Sequence, residues 1–191
     1  MAGQRKNMPV LAGSETSTVT DILAPYCVGI GCDIGYGGKK IVPEAWAFDL
    51  PHPYTKVGED RQQLRGDCRH LSFLCDEALD YLYSSHVLED FTYEQLRSVI
   101  LPEWRRVLKH NGLLVVNCPD QQRFLAHCQK TGQPMNLAHK EPDFSLLTFK
   151  HEVLDLTGPW INEFVQPNHG AYSWLGVWRK ALNVMQKAFR T

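Results

Sequence analysis

Short apolar runs recur along this chain, and each ends at a glycine, a proline or a polar residue. The first run, Tyr26–Ile34, stops at Gly35, and the second, Ala45–Leu50, is cut off by Pro51. Apolar runs of this length with such boundaries are typical of buried strands. Because segments of helical character separate the later runs, the pattern predicts a parallel sheet joined by crossover helices.

The same pattern places the other elements of the sheet. We predict three further parallel strands, at Gln63–Gly66, Ala78–Ser84 and Leu113–Cys118. Helices are predicted at Lys39–Pro43, Gln121–Lys130 and Phe149–Leu156. The polar segment Tyr54–Arg61 and the proline-broken segment Thr131–Ser145 are predicted to be loops.

A capping box marks the longest helix, with Thr92 at the cap and Gln95 three positions later. Apolar residues follow at helical spacing up to Leu108. Pro102 is expected to kink this helix or to begin a second one, and Asn111–Gly112 is expected to end it.

The tail has the pattern of an antiparallel hairpin, with strands at Ile161–Gln166 and Ala171–Lys180 around a turn at residues 167–170. Tyr172, Trp174 and Trp178 share one face of the last strand, where we predict that they pack in the core. We expect a lead-in at residues 1–25 and one domain at residues 26–191.

Small and acidic residues collect where the parallel strands end. These residues are Asp33, Gly35, Gly37 and Gly38 after the first strand, Asp49 after the second, Asp67, Cys68 and Arg69 after the third, and Ser84, Ser85 and His86 after the fourth. The carboxyl ends of parallel strands meet at one edge, where such sheets bind ligands. Bare backbone suits close approach to a ligand, and carboxylates suit ribose hydroxyls and a cationic group. The row therefore favours a nucleoside that carries a positive charge.

Several stretches resemble the class I S-adenosylmethionine-dependent methyltransferases, and in particular the type 11 group. The family's first motif is matched by Asp33-Ile34-Gly35-Tyr36-Gly37. Its sequence motifs after the fourth strand and before the fifth are matched by LDYLYSSHVLEDF at 79–91 and EWRRVLKHNGLLVV at 103–116. The resemblance implies a Rossmann-like α/β fold with a seven-stranded, mostly parallel sheet, helices on both faces and a C-terminal antiparallel hairpin. It also implies S-adenosyl-L-methionine as cofactor.

By this resemblance, one set of residues would bind the cofactor: Asp33, Gly35, Tyr36, Gly37, Asp49, Leu50, Asp67, Cys68, Arg69, Ser84, Ser85 and His86. Asp49 would bind the ribose hydroxyls, and Asp67 with Cys68 would meet the adenine. The interval from Asp33 to Asp49 is shorter than is usual in the family, which leaves room for only about one helical turn between them.

Two histidines are candidate catalytic residues, His86 and His139. Histidine titrates near neutral pH, so His86 at the strand ends could act as a base. It could equally be a structural residue bonded to a neighbouring carbonyl. His139 lies in the loop where the resemblance places substrate contacts, and the alternative there is a solvated charged loop. No common zinc spacing is present, and we expect no metal site.

Composition limits the remaining function classes. The net charge is -1, which gives no basic field for nucleic acid, and no apolar run approaches the ~20 residues of a membrane span. Six cysteines without a Cys-x-x-Cys pair favour a reduced, cytoplasmic protein. We therefore predict a methyltransferase that acts on a small-molecule acceptor, with oligomeric state undetermined. Two alternatives are a non-catalytic subunit that keeps the fold and a nicotinamide-dependent oxidoreductase, whose Gly-x-Gly-x-x-Gly fingerprint is missing.

Overall fold

A computed structural model describes residues 14–52 and 61–182 of the chain. Within these ranges, seven strands form one sheet in the order β3-β2-β1-β4-β5-β7-β6. The strands are β1 Gly31–Ile34, β2 Trp46–Asp49, β3 Leu64–Arg65, β4 Leu79–Ser85, β5 Leu108–Pro119, β6 Trp160–His169 and β7 Ser173–Lys180. The predicted loop at Tyr54–Arg61 lies almost entirely outside the described residues.

Strand direction gives the sheet its class. Strands β1 to β5 pair in parallel, whereas β7 runs antiparallel to both of its neighbours, β5 and β6. The prediction of a mostly parallel, Rossmann-like sheet that closes with an antiparallel hairpin is therefore confirmed.

The helices surround this sheet. They are α1 Glu15–Leu23, α2 Tyr93–Gln95, α3 Leu101–Val107, α4 Gln121–Thr131 and α5 Leu146–Glu152. A π-helical turn at Leu96–Ile100 joins α2 to α3, and Pro102 stands in the first turn of α3, so the predicted second start at this proline is confirmed. None of the described helices is long and apolar enough to cross a membrane.

Alternating side chains along the central strands build two apolar clusters, one on each face. On one face, Tyr81 and Tyr83 of β4 pack with Val19 and Leu23 of α1. On the other face, Leu82 packs in a larger cluster that contains side chains of α3, α5 and β7. This second cluster includes the fully buried Trp104 and Trp174. The sheet is thus covered on both sides, and its strand ends are held in fixed positions.

The connection from β1 to β2 differs from the prediction, because the helix expected at Lys39–Pro43 does not form. The backbone N–H of Ile41 donates to Oδ2 of the buried Asp33 at 2.8 Å instead of entering a helical ladder. Gly37 and Gly38 have positive φ angles of 61° and 99°, which turn the chain before a helix can begin. The first carboxylate of the motif therefore organises this loop.

The helix before β5 also ends earlier than predicted. It stops at Val107, and β5 begins at Leu108, so Asn111–Gly112 lies inside the strand as an irregularity. Leu79 pairs with Leu108 but Tyr81 pairs with Leu113, which leaves residues 109–112 looped out of the ladder. The Lys109 ammonium lies 2.8 Å from a carboxylate oxygen of Asp80, and this ion pair ties the loop to β4.

The tail forms the predicted hairpin, but β6 continues to His169 and the turn lies at residues 170–172. Trp174 and Trp178 pack in the core as expected. Tyr172 precedes β7, and its ring makes edge contacts with the rings of Phe124 and His86. This tyrosine therefore belongs to the strand-end edge of the sheet, which the period-two pattern did not indicate.

Candidate functional site

A cleft of about 740 Å³, counting the space at its open mouth, lies at the carboxyl ends of β1, β2, β3 and β4. Ile34, Asp49, Gly66 and His86 mark the ends of these four strands in its wall. Its other lining residues are Gly35, Phe48, Leu50, Asp67, Cys68, Arg69, Val87, Asp90 and Phe91. The cleft has the mixture of apolar and acidic groups that small-molecule sites have.

Gly35 forms the tightest part of the wall. Its N–H donates to the carbonyl of Phe48 at 2.8 Å, and its φ of 69° lies in the left-handed region. A Cβ at this position would lie only 2.2 Å from Cγ2 of Val87. The backbone of β1 therefore approaches the segment after β4 as closely as the chain allows, and only glycine fits.

Asp49 places a carboxylate at the lip of the cleft. Its Oδ1 accepts from the N–H of Leu50 at 2.7 Å. Desolvation raises the pKa of this carboxyl, while the N–H groups of Leu50 and Gly37 oppose the rise. A half-buried carboxylate of this kind is a strong acceptor for hydroxyl donors.

Asp67 is already engaged by Arg69. The Nε of Arg69 lies 2.9 Å from both carboxylate oxygens, and the backbone N–H of Arg69 donates to Oδ1 at 2.9 Å. The guanidinium hydrogen bonds hold the pKa of Asp67 below its usual value. A ligand at this end of the cleft would thus meet an ion pair and not a free carboxylate.

The structure does not bring every residue of the cofactor set to the cleft wall. Seven of them line it: Gly35, Asp49, Leu50, Asp67, Cys68, Arg69 and His86. Five are not among the lining residues: Asp33, Tyr36, Gly37, Ser84 and Ser85. Asp33 is buried beneath the loop and accepts from Ile41, and Ser85 accepts from the Asn117 amide at 3.0 Å. The binding roles of the whole set stay predictions.

A second polar group adjoins the cleft, and His86 belongs to both. His86 has a positive φ of 54°, and its Nδ1 lies 3.4 Å from Oε1 of Glu89. The same carboxylate oxygen of Glu89 lies 3.9 Å from Nε2 of His139. The two candidate catalytic histidines are therefore brought together around one buried carboxylate.

The second nitrogen of each ring also lies near polar side chains. The Nε2 of His86 lies 3.3 Å from the hydroxyl of Ser173 and 3.7 Å from a carboxylate oxygen of Glu15. The Nδ1 of His139 lies 2.6 Å from Oε1 of Gln121. Burial lowers the pKa of both histidines, and it raises the pKa of Glu89 well above its usual value.

The sequence did not indicate several members of this group, namely Glu15, Glu89, Gln121, Tyr172 and Ser173. Glu89 lies in the short helical turn Leu88–Asp90, and acids are common in a first helical turn. Its three-residue spacing from His86 is the one signal that could have identified it. Among the described residues, no group of three or more His, Cys, Asp or Glu side chains is placed to hold a metal ion.

Comparison with solved structures shows the same architecture in other proteins. The PH0226 protein of Pyrococcus horikoshii OT3 has a TM-score of 0.63 at 17% identity, with 85% of this chain and 88% of that chain covered. An S-adenosylmethionine-dependent methyltransferase of Archaeoglobus fulgidus has a TM-score of 0.60 at 17% identity, with 87% and 95% covered. A structure titled for the conversion of a disulfide bond into a thioacetal group during echinomycin biosynthesis has a TM-score of 0.61 at 13% identity, with 91% and 84% covered.

At these identities the neighbours establish the fold. No curated protein matches this chain in sequence. Residues 29–116, which carry β1 to β4, most of β5 and all the cleft-lining residues, match the family described as methyltransferase domain. The methyl donor of that family is S-adenosyl-L-methionine. Residues 29–116 of this chain are therefore similar in sequence to the methyltransferase-domain family, and the described residues share the fold of S-adenosylmethionine-dependent methyltransferases.

Proposed function

We propose that this methyltransferase transfers a methyl group to an oxygen or nitrogen atom of a small molecule, such as a sugar, a metabolite or a natural-product intermediate. The observation that carries the proposal is the position of His86, which lines the cleft and also faces the buried polar group of Glu89 and His139. A donor site and a proton-accepting group thus meet at one side chain.

The cleft fits the cofactor of the family. Apolar side chains such as Phe48 and Phe91 offer walls for an adenine ring, and Asp49 offers a carboxylate for the ribose hydroxyls. A Cβ at Gly66 would lie 3.2 Å from the Phe48 ring, so a glycine lets the backbone pack closely against this ring. When bound, S-adenosylmethionine supplies a methyl carbon on a positively charged sulfur that is already a good leaving group. The protein then mainly has to align donor and acceptor.

We propose that the segment between α4 and α5 closes the acceptor side. The N–H of Lys140 donates to the carbonyl of Glu89 at 2.9 Å, and the Tyr93 N–H donates to Oε1 of Glu141 at 2.8 Å. Phe144 of the same segment is buried in the core, and its carbonyl accepts from the N–H of Gln121 at 2.7 Å. A wall tied down at both ends favours an acceptor that enters as a small molecule over one that lies along an open groove.

His86 supplies the base that such an acceptor needs. A hydroxyl or protonated amine must lose its proton as the new bond forms. Because burial lowers the pKa of His86, the ring is neutral near neutral pH and has a lone pair available. The echinomycin neighbour shows only that this fold also serves natural-product chemistry, which agrees with a small-molecule acceptor. All six cysteine thiols are free, and we expect a reducing compartment such as the cytoplasm.

Calorimetry with S-adenosylhomocysteine and a turnover assay test the proposal. We expect saturable binding that Asp49→Asn weakens about 10- to 100-fold, since the variant loses charge-assisted hydrogen bonds. Asp21→Asn, an exposed acid on α1, is the matched control and should bind normally. Steady release of S-adenosylhomocysteine with a small-molecule acceptor panel is the expected turnover result. Binding without turnover over a broad panel would instead support a non-catalytic subunit.

A further inference from the structure

Glu89 is a buried carboxyl that accepts hydrogen bonds from its own backbone N–H and from the Cys118 thiol, and one of its oxygens is left over. It is 1% exposed, and its Oε2 has no hydrogen-bond partner among the described residues. Leaving a buried polar atom unpaired costs about 1–3 kcal/mol, and more for a charged group. A side chain retained at this cost calls for an explanation in terms of function.

The geometry around Glu89 suggests what it does. Its Oε1 lies 3.4 Å from Nδ1 of His86 and 3.9 Å from Nε2 of His139. The side-chain amide oxygen of Gln121 can only accept, so Nδ1 of His139, 2.6 Å away, carries a hydrogen. The Nε2 of His139 is the nitrogen nearer to Glu89. His86 is therefore the ring whose nitrogen lies nearer to this oxygen of Glu89 and can share a proton with it.

We propose that Glu89 is a positioning residue that holds the Nδ1 proton of His86, so that Nε2 of His86 takes the proton of the methyl acceptor. The inference rests on the proposed function and narrows the acceptor to one that carries an O–H or N–H group. The acceptor atom bonds to the methyl carbon, and the carbon–sulfur bond breaks with its electron pair going to sulfur. The acceptor proton moves to Nε2 of His86.

A buried carboxylate makes this proton transfer easier. Above its raised pKa Glu89 is ionised, and proton uptake by His86 then turns a buried anion into a neutral pair, whereas without Glu89 only the partly exposed Glu15 would face the buried cation. His86, Glu89 and His139 titrate as a coupled group. Other titratable side chains face this group from the elements around it: Glu15 from α1, Asp90 from the turn after β4, Cys118 from β5 and Tyr172 before β7.

The first test follows the titration of His86 by NMR in the free protein, with the resonance assigned from its loss in His86→Asn. In Glu89→Gln, which keeps the size of the side chain and removes its charge, we expect the pKa of His86 to fall. Glu89→Asp keeps the charge and should retain a higher pKa of His86 than Glu89→Gln does. Glu152→Gln, at an exposed acid of α5, should leave it unchanged. An equal pKa of His86 in the wild type and in Glu89→Gln overturns the proposal.

The second test uses turnover with an acceptor found in the panel. We expect Glu89→Gln to lower kcat about 10- to 100-fold, because a general base contributes about 10²- to 10⁴-fold and part of that is lost. The KM for S-adenosylmethionine should stay within about twofold, and the acid limb of the kcat–pH profile should move to lower pH. An unchanged acid limb would refute the role of Glu89. If the wild type releases no S-adenosylhomocysteine, the proposed function fails, while the NMR titration still decides whether Glu89 controls His86.

Discussion

Replacement of Gly35 by alanine tests how the cleft wall is built. The residue has a φ of 69°, and an alanine there costs about 1–2 kcal/mol for the left-handed backbone alone. The new Cβ would also lie 2.2 Å from Cγ2 of Val87, and overpacking of a dense site costs about 1–3 kcal/mol. The free energy of unfolding should therefore fall by about 2–5 kcal/mol.

Gly37 provides a matched control for this substitution. Its φ is 61°, but the nearest atom to an added Cβ is the carbonyl oxygen of Gly35 at 3.9 Å. Gly37→Ala should therefore cost only the backbone part, about 1–2 kcal/mol. The difference between the two variants isolates the contact with Val87.

Urea unfolding monitored by circular dichroism measures both variants and a double-mutant cycle with Val87→Ala. Removal of the Val87 methyl groups leaves its Cβ 3.6 Å from the added atom, so Gly35→Ala should be milder in that background by about 1–3 kcal/mol. Equal destabilisation by Gly35→Ala and Gly37→Ala, or no coupling with Val87, would refute this reasoning.

Three further predictions concern the core, the buried acid and the ion pair of the cleft. Trp104→Phe removes the hydrogen bond from Nε1 to the carbonyl of Cys68 at 2.8 Å and leaves a buried acceptor unpaired, so urea unfolding should show a loss of about 1–3 kcal/mol. Because the pKa of Glu89 is raised, the folded protein binds a proton there that the unfolded chain has released, and the free energy of unfolding falls as pH rises above the unfolded pKa. Glu89→Gln should remove this fall. In denaturant titrations, the free energy of unfolding of Glu89→Gln relative to the wild type should therefore increase from pH 4 to pH 7. Arg69→Ala breaks a partly exposed ion pair with Asp67, so the free energy of unfolding measured in urea should change by less than about 1 kcal/mol. The pKa of Asp67 should rise in this variant.

The sheet could be predicted from sequence because its signals are local. Apart from the two-residue β3, the parallel strands coincide with apolar runs that end at glycine, proline or a polar residue, and the capping box at Thr92 forms as expected. The acids at the ends of β2 and β3 reach one cleft for the same reason, since parallel strands share an edge.

The features that the sequence missed depend on contacts between distant segments. The side chain of Asp33 accepts a hydrogen bond from the backbone of Ile41 in the loop after β1, where the local pattern predicted a helix. The group around Glu89 requires the segment after α4 to fold back on β4, and no local pattern indicates that His139 and His86 meet there. Such pairings are set by tertiary packing, which periodicity does not record.

The central claim is that the cleft at the ends of β1 to β4 holds the adenosyl group and directs its sulfur towards His86. A crystal structure with S-adenosylhomocysteine bound tests it most directly. We expect ribose hydroxyls within hydrogen-bonding distance of Asp49 and the sulfur on the side of the cleft where His86 lies. A ligand bound away from Asp49, or with its sulfur turned away from His86, would contradict the account.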